Sequence, residues 1–360
     1  MRIGIDARLS GTKNAGIGRY IENLIRALAN LSFSDEFVIF VSDISAFAWL
    51  SQDTRFRLVE VKVSHYSVLE QLVMPFVIWR SGVSLVHIPH FNVPYICPTP
   101  FVVTIHDLLW HEKKDTRATT LHPIVHFMKY AFYRMIVKHA VENARHIVVP
   151  SQVVEKIVEK YYPQHAPITV AYEGVTPFSS VHTTPHSQDP YLLCVGSLYP
   201  HKNIDRVLPH LKRHSGLHLK LASSRSVFLD RFRQKVQEYE LDSRVEIIEH
   251  PSDDELAELY TNAFAFLFPS SSEGFGLPGL EAMSRECPVV CSDIPIFHEV
   301  YGDAVLYVHF DDESSFTDAM NVLKDSSMRA MYIKRGLLQS KRYSWMNHAK
   351  TVFQTYQDYD

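Results

Sequence analysis

The stretch PSSSEGFGLPGLEAM, Pro269–Met283, follows the apolar run AFAFLFPS (263–270) and leads into a segment that reads as a helix. Pro278 stands in the first turn of that helix, where a missing backbone N–H costs nothing. Gly274 and Gly276 free the backbone of EGFG, so the amides of Gly274, Phe275, Gly276 and Leu277 can approach a ligand. Such amides, with the positive end of the following helix, suit an anion. Glu281 lies within the first helical turns, where a carboxylate is favoured and can accept two hydrogen bonds from a vicinal diol. Glu273 precedes the glycines and addresses another part of the same ligand. Each acid alone would be ordinary strand-to-helix punctuation; two acids flanking one glycine clamp argue for a binding site.

The strand, loop, helix order continues on both sides of this turn. YLLCVGS (191–197), LHLKLAS (217–223), VEIIEH (245–250), CPVVCS (287–292) and AVLYV (304–308) read as strands with helices between them. The N-terminal half repeats the pattern. RIGIDA (2–7), FVIFVS (37–42), SLVHIP (84–89), FVVTIHD (101–107) and HIVVPS (146–151) are strand-like, and 17–31, 68–80, 121–145, and 152–161 are helical. Apolar strands alternating with helices indicate parallel sheets covered on both faces, and two such sets indicate two doubly wound α/β domains. TPFSSVHTTPHSQDP (176–190) has no periodicity and reads as the linker. The domains are therefore expected at 1–175 and 176–344. The helical segment 345–360 can dock on either, including back on the first.

Ligands of open α/β sheets bind beyond the carboxyl ends of the strands. Besides 270–279, the loops 8–18, 106–112 and 196–203 meet that condition and carry unusual residues. In VGSLYPHKN (195–203), Lys202 precedes an expected helix with Asn203 as its N-cap and can pair with phosphate; singly it also reads as a surface lysine. TIHDLLW (104–110) ends a strand with His106 and Asp107, a pair that can position a neutral imidazole beside a sugar hydroxyl, or a turn capped by Asp107. GTKNAGIGRY (11–20) offers Gly16 and Gly18 before a helix. Position 21 is Ile where the dinucleotide fingerprint has its third glycine, which disfavours a dehydrogenase. The helix at 121–145 mixes Phe127, Met128 and Phe132 with Lys129, Arg134 and Lys138. It is either a core helix with a solvated face or one that lies on an anionic membrane.

Bulk properties narrow the classes. At 360 residues and 46% hydrophobic, the chain can build two cores. A net charge of −4 gives no basic field for nucleic acid. Cys97, Cys194, Cys287 and Cys291 are not spaced for zinc and read as reduced thiols of a cytoplasmic protein. MRIGIDARLSG has too short an apolar run for a secretion signal, and no stretch reaches the length of a membrane span.

Taken together, these residues resemble the retaining glycosyltransferases of family 4, group 1, which have the GT-B fold: two Rossmann-like doubly wound domains facing each other across a cleft. EGFGLPGLEAM resembles the family's E-x7-E motif, with Glu273 first and Glu281 second. CPVVCSDIPIFHEVYGDAVLYV (287–308) is similar to its PVV-S…PEV-GDAA run, VGSLYPHKN to its VG-L…KN loop, and IHDL (105–108) to its histidine loop. GIDARL…GIGRYIENL, EQLVMP, HIPHFNVP and YSW are similar to members acting on bacterial surface polysaccharides. The resemblance implies that Glu281 binds the ribose of a nucleotide-sugar and Glu273 the transferred sugar. It implies that the amides of 274–277 bind sugar and diphosphate, and that Lys202 neutralises the diphosphate. Gly16 and Gly18 would let the first loop approach the donor phosphates. His106, with Asp107 beside it, would lie on the acceptor side. No metal or other cofactor is expected. The implied donor is GDP-mannose, with UDP-glucose and UDP-galactose as alternatives. The implied acceptor is a glycan or lipid-linked oligosaccharide, met in the cytoplasm or at the inner face of the cytoplasmic membrane. Ser197 stands where the family often has arginine, so that either His201 or Arg225 compensates or Lys202 serves alone. A nucleotide-sugar epimerase, a phosphorylase and a non-catalytic nucleotide-sugar-binding homologue are the competing readings.

Overall fold

The computed structural model describes residues 1–11, 15–112, 123–176, 190–223 and 228–358. The chain divides into two compact units, Met1–Gly174 with Trp345–Asp360, and Val175–Ser344. Residues 177–189 of the expected linker, and Arg225, lie outside the described residues.

The first unit is built on seven parallel strands: β1 (Arg2–Asp6), β2 (Glu36–Val41), β3 (Phe56–Glu60), β4 (Leu85–Ile88), β5 (Phe101–Thr104), β6 (His146–Val149) and β7 (Ile168–Val170). Their order is β3-β2-β1-β4-β5-β6-β7. The helices are α1 (Ala15–Ala29), α2 (Glu70–Ser81), the single turn α3 (Leu109–Glu112), α4 (Pro123–Asn143) and α5 (Gln152–Tyr161). The sequence pattern missed the edge strands β3 and β7. Both are largely half-exposed and carry no continuous apolar run, whereas β4, β5 and β6 are buried at every position.

The second unit carries β8 (Tyr191–Val195), β9 (His218–Ser223), β10 (Val245–Glu249), β11 (Ala265–Phe268), β12 (Val289–Ser292) and β13 (Leu306–Val308), all parallel, in the order β10-β9-β8-β11-β12-β13. Its helices are α6 (Leu208–Arg213), α7 (Leu229–Glu238), α8 (Asp253–Asn262), α9 (Leu277–Ser284), α10 (Pro295–Tyr301), α11 (Glu313–Lys324) and α12 (Ser326–Ser340). Both sheets reverse direction of growth once, between β1 and β4 and between β8 and β11. The carboxyl ends of those strands are the sites where such sheets bind ligands.

The last helix, α13 (Trp345–Gln357), belongs to the first unit. Phe353 stacks on Phe33 with ring centroids 5.2 Å apart. Tyr356 Oη lies 2.6 Å from His87 Nδ1, and His348 Nε2 lies 3.1 Å from Tyr20 Oη. His87 Nε2 and Tyr20 Oη both meet Thr104 Oγ1, so a buried polar chain runs from α13 through the sheet. Every polar atom in that chain has a partner, the condition for burying it at tolerable cost.

Candidate functional site

In the second unit, β8 is followed by Gly196, whose φ of +134° is glycine territory and whose N–H is held by the Ala222 carbonyl at 3.0 Å. The chain then makes a tight turn, Pro200–Lys202. Here the structure corrects the expected helix start. Asn203 sits in the left-handed region at φ 50° and caps nothing with its side chain; a second short turn, Ile204–Val207, precedes α6. Asn203 Nδ2 instead donates to the Pro269 carbonyl at 3.2 Å, and Ser271 N–H and Oγ–H donate to the His201 carbonyl at 2.8 and 3.1 Å. These bonds tie the loop after β8 to the loop after β11.

That tie brings together two residues 71 positions apart. Lys202 Nζ lies 2.6 Å from Glu273 Oε1, with side chains 17% and 12% exposed. The Phe268 ring lies under the ammonium at 5.5 Å. The pair is sheltered enough to be strong and open enough to be reached.

The glycine turn between the two acids is braced from below by Tyr301 of α10. Its hydroxyl donates to the Gly276 carbonyl. Gly276 has φ +96°, and a Cβ there or at Gly279 would collide with that hydroxyl. Packing therefore requires glycine at both positions, and backbone geometry requires it at Gly276 as well. Phe275 turns its ring inward, 5.4 Å from Tyr343, so of this residue it is the backbone that can address a ligand. Gly274 and Leu277 are half-buried. Glu281, in the second turn of α9, is buried and accepts a hydrogen bond from Tyr260 Oη at 3.1 Å. Tyr260 and Tyr301 were given no role from sequence. Only their positions, one helix before and one after the motif, hinted at them.

In the first unit, His106 follows β5. Its Nε2 faces the Pro89 carbonyl at 3.1 Å and its Nδ1 faces Glu173 Oε1 at 3.5 Å, with Tyr20 edge-on at 4.5 Å. The carboxylate facing the imidazole is thus Glu173, 67 positions on (173 − 106), a residue no sequence spacing connected to it. Asp107 accepts the Leu109 N–H at 3.1 Å and caps α3, which is the turn alternative for this residue. Gly16 opens α1 with no atom within 4 Å of a Cβ position, whereas a Cβ at Gly18 would strike the carbonyl of Gly11. Gly18 therefore lets α1 pack against the loop after β1.

A second ionic group occupies the carboxyl ends of β1 and β4. Arg8 Nη2 lies 2.6 Å from Asp6 Oδ2 and 2.7 Å from Glu70 Oε1. Asn92 Nδ2 and the Tyr66 N–H each donate to Glu70 Oε2 at 2.7 Å. Burial alone would raise the Asp6 carboxyl, and the Arg8 guanidinium overrides it and holds it low; Glu70 is held low against burial by His65 and Arg8. Asp6, His65 and Glu70 bring ligand-type atoms within 4.8 Å of one another, but both carboxylates already hold Arg8. The sequence fragments GIDAR, EQ and HIPHFNVP thus meet in one brace.

Residues 14–177 match the family described as Glycosyltransferase Family 4, and residues 178–339 match Glycosyl transferases group 1. The chain belongs to this glycosyltransferase family. Over 66% of its length it is 31% identical to the O-antigen chain mannosyltransferase RfbU of Salmonella typhimurium, a match spanning 64% of that protein. Over 46% of its length it is 34% identical to O-antigen chain mannosyltransferase B of Escherichia coli, spanning 45% of that one. The chain thus covers less than two thirds of either relative. Sucrose-phosphate synthase from Thermosynechococcus elongatus superposes with a TM-score of 0.78 at 19% identity, over 99% of this chain and 98% of that one. That likeness identifies the two α/β units as GT-B domains. In this chain the E-x7-E acids are set apart by environment: Glu273 sits at the mouth of the turn beside Lys202, and Glu281 is sunk behind it against Tyr260. Ser197 is half-buried, and the His201 ring stacks on Tyr199 with centroids 6.0 Å apart.

Proposed function

We propose that this chain is a retaining hexosyltransferase that moves mannose from GDP-mannose to a glycan or lipid-linked oligosaccharide in cell-surface polysaccharide synthesis. The observation that carries the reaction is the Lys202–Glu273 pair on the glycine turn at the switch point of the second sheet. The mannose assignment is supported by the names of the two curated relatives.

In this reading the donor diphosphate meets the Lys202 ammonium and the amides of 274–277, and the ribose hydroxyls donate to Glu281. Glu273 exchanges its hold on Lys202 for hydroxyls of the transferred sugar. The bond from the anomeric carbon to the diphosphate oxygen breaks. The acceptor hydroxyl oxygen bonds that carbon from the same face, and its proton passes to the departing phosphate. Negative charge grows on the leaving group, where a fixed ammonium and fixed amides stabilise the transition state more than the ground state. His106, steadied by Glu173, addresses the acceptor side. No step calls on a metal or on a protein nucleophile. The acceptor is met on the cytoplasmic side, with the chain peripheral to the inner membrane face.

The test is nucleotide release from GDP-mannose, UDP-glucose and UDP-galactose, each with and without a lipid-linked oligosaccharide acceptor. Acceptor-dependent release of GDP, with the anomeric configuration kept in the product, is expected. Release from a UDP-sugar alone would overturn the donor. Full transfer by Glu273→Ala and Lys202→Ala would overturn the site.

A further inference from the structure

We propose that the outer face of α2, the Tyr95–Ile96 turn and α4 form one surface that seats on an anionic lipid bilayer. The lipid-linked acceptor raises the question of where the chain meets a membrane, but the surface follows from exposed side chains and does not rest on the transfer chemistry.

α2 is apolar on both sides. Met74 and Ile78 point into the core, while Leu69, Leu72, Phe76 and Trp79 repeat at helical spacing on the opposite side, with Leu72 69% and Trp79 68% exposed. A helix apolar all round is normally buried all round. α5, which packs on the same face of the sheet, shows the ordinary arrangement: it buries Val154 and Val158 and exposes Lys156, Glu159 and Lys160. α4 behaves like α2. It buries Val137 and Ala140 in the same core and exposes Ile124, Phe127, Met128 and Phe132.

The Tyr95–Ile96 turn links the two helices. The Tyr95 N–H donates to Gln71 Oε1 of α2 at 2.8 Å, and the Tyr95 ring lies 4.6 Å from that of His139 of α4. Tyr95 and Ile96, both exposed, therefore fill the seam between the helices. Exposed large apolar side chains thus recur on two neighbouring helices and on the turn that links them, where an ordinary surface carries them singly.

Charge selects the occupant. From Pro123 to Val141 the sequence has no acid; Lys129 is exposed on α4, Lys138 is exposed there with Glu142 3.8 Å away, and Arg80 is exposed at the end of α2. Trp, Tyr, Phe and Leu interleaved with Lys and Arg are the side chains of an interfacial surface, and the basic groups suit anionic headgroups. A second copy seated on the same face by two-fold symmetry would set these cations against themselves. No described helix is long and apolar enough to cross a membrane, so the face lies on the bilayer rather than through it.

The full chain is to be floated with vesicles of phosphatidylcholine alone and of phosphatidylcholine with phosphatidylglycerol, at low and high salt. Binding only to the anionic vesicles, weakened by salt, is expected. Phe76→Ser with Trp79→Ser should lower the partition by at least about tenfold. Lys129→Glu with Lys138→Glu should remove the preference for anionic lipid. All four side chains are exposed, so both variants should keep the wild-type circular dichroism and melting curve. The proposal fails if the wild type stays unbound on anionic vesicles at low salt, or if the serine variant floats unchanged. It fails equally if sedimentation shows a dimer that the serine variant abolishes, since the occupant would then be a second copy. None of these readouts measures glycosyl transfer, so the two readings can fail separately.

Discussion

Two ionic groups occupy matching places in sheets that share one strand order. Arg8 follows β1 and Asn92 follows β4; Lys202 follows β8 and Glu273 follows β11. Topology alone would nominate both as ligand sites. The first is sealed: Arg8 and Glu70 are 2% and 1% exposed, and one cation serves two carboxylates with two further donors on Glu70. The second is a single open pair on a glycine turn. A buried cluster in which two carboxylates share one cation holds loops in place, even with Arg8 Nη1 unpartnered, whereas an accessible single pair can trade its partner for a ligand. Burial and bond count, not fold position, separate brace from site.

The largest test of this contrast is acid. Burial pushes His87 and His90 down to about 3 and His348 down to about 4, and all three lie in the first unit. Unfolded, each titrates near 6.5. As the pH falls below 6.5 the unfolded chain binds protons that the folded unit refuses, so stability is lost on the way down to the folded values. Each group contributes about 1.4 kcal/mol per pH unit, or about 4 kcal/mol per unit for the three. Asp6 and Glu70, held low in the fold, add to the loss only below about 4.5, where their unfolded forms take up protons. Trp49, Trp79, Trp110 and Trp345 all belong to the first unit, so tryptophan fluorescence follows that unit alone. Its urea midpoint should fall steeply between pH 6.5 and 5; a flat midpoint over that window would remove the buried neutral histidines from the account.

Next in size is Arg8→Ala. It leaves two buried carboxylates uncompensated and should cost about 3–5 kcal/mol in urea unfolding followed by the same tryptophans. A loss within ordinary surface range would mean that the cluster is wetter than its burial indicates. Lys202→Ala should do the reverse, lowering transfer about 10²–10³-fold while moving the unfolding midpoint by less than about 1 kcal/mol. A variant that unfolds early but transfers normally would make Lys202–Glu273 a brace as well, and the contrast would collapse.

Much of this was legible in the sequence for a physical reason. Central parallel strands are buried on both faces, so β1, β4, β5, β6, β8, β11 and β12 stand out as apolar runs; the half-exposed edges β3 and β7 do not. The glycines around Glu273 advertise a special backbone, and Gly276 has one. Asn203 misled because a capping residue type also suits a left-handed turn. Partners joined only by folding, such as Glu173 to His106 and Tyr301 to Gly276, have no fixed spacing to read. Arg8 and Glu70 could be seen only as fragments, since 62 residues separate them.

The smallest predicted effect lies at that unread pairing. His106 Nε2 faces a carbonyl and its Nδ1 faces the Glu173 carboxylate, so the ring is steered from both sides. Glu173→Gln keeps the shape and an oxygen but removes the charge. If Glu173 only orients the imidazole, kcat should fall about tenfold, equivalent to about 1.4 kcal/mol, with the donor KM unchanged. Glu173→Asp, which keeps the charge, should recover part of the lost kcat. A merely structural Glu173 would lower the urea midpoint and leave the kcat of the folded enzyme in place. A normal kcat in Glu173→Gln would return His106 to the class of packed loop histidines, and the first unit would then hold braces alone.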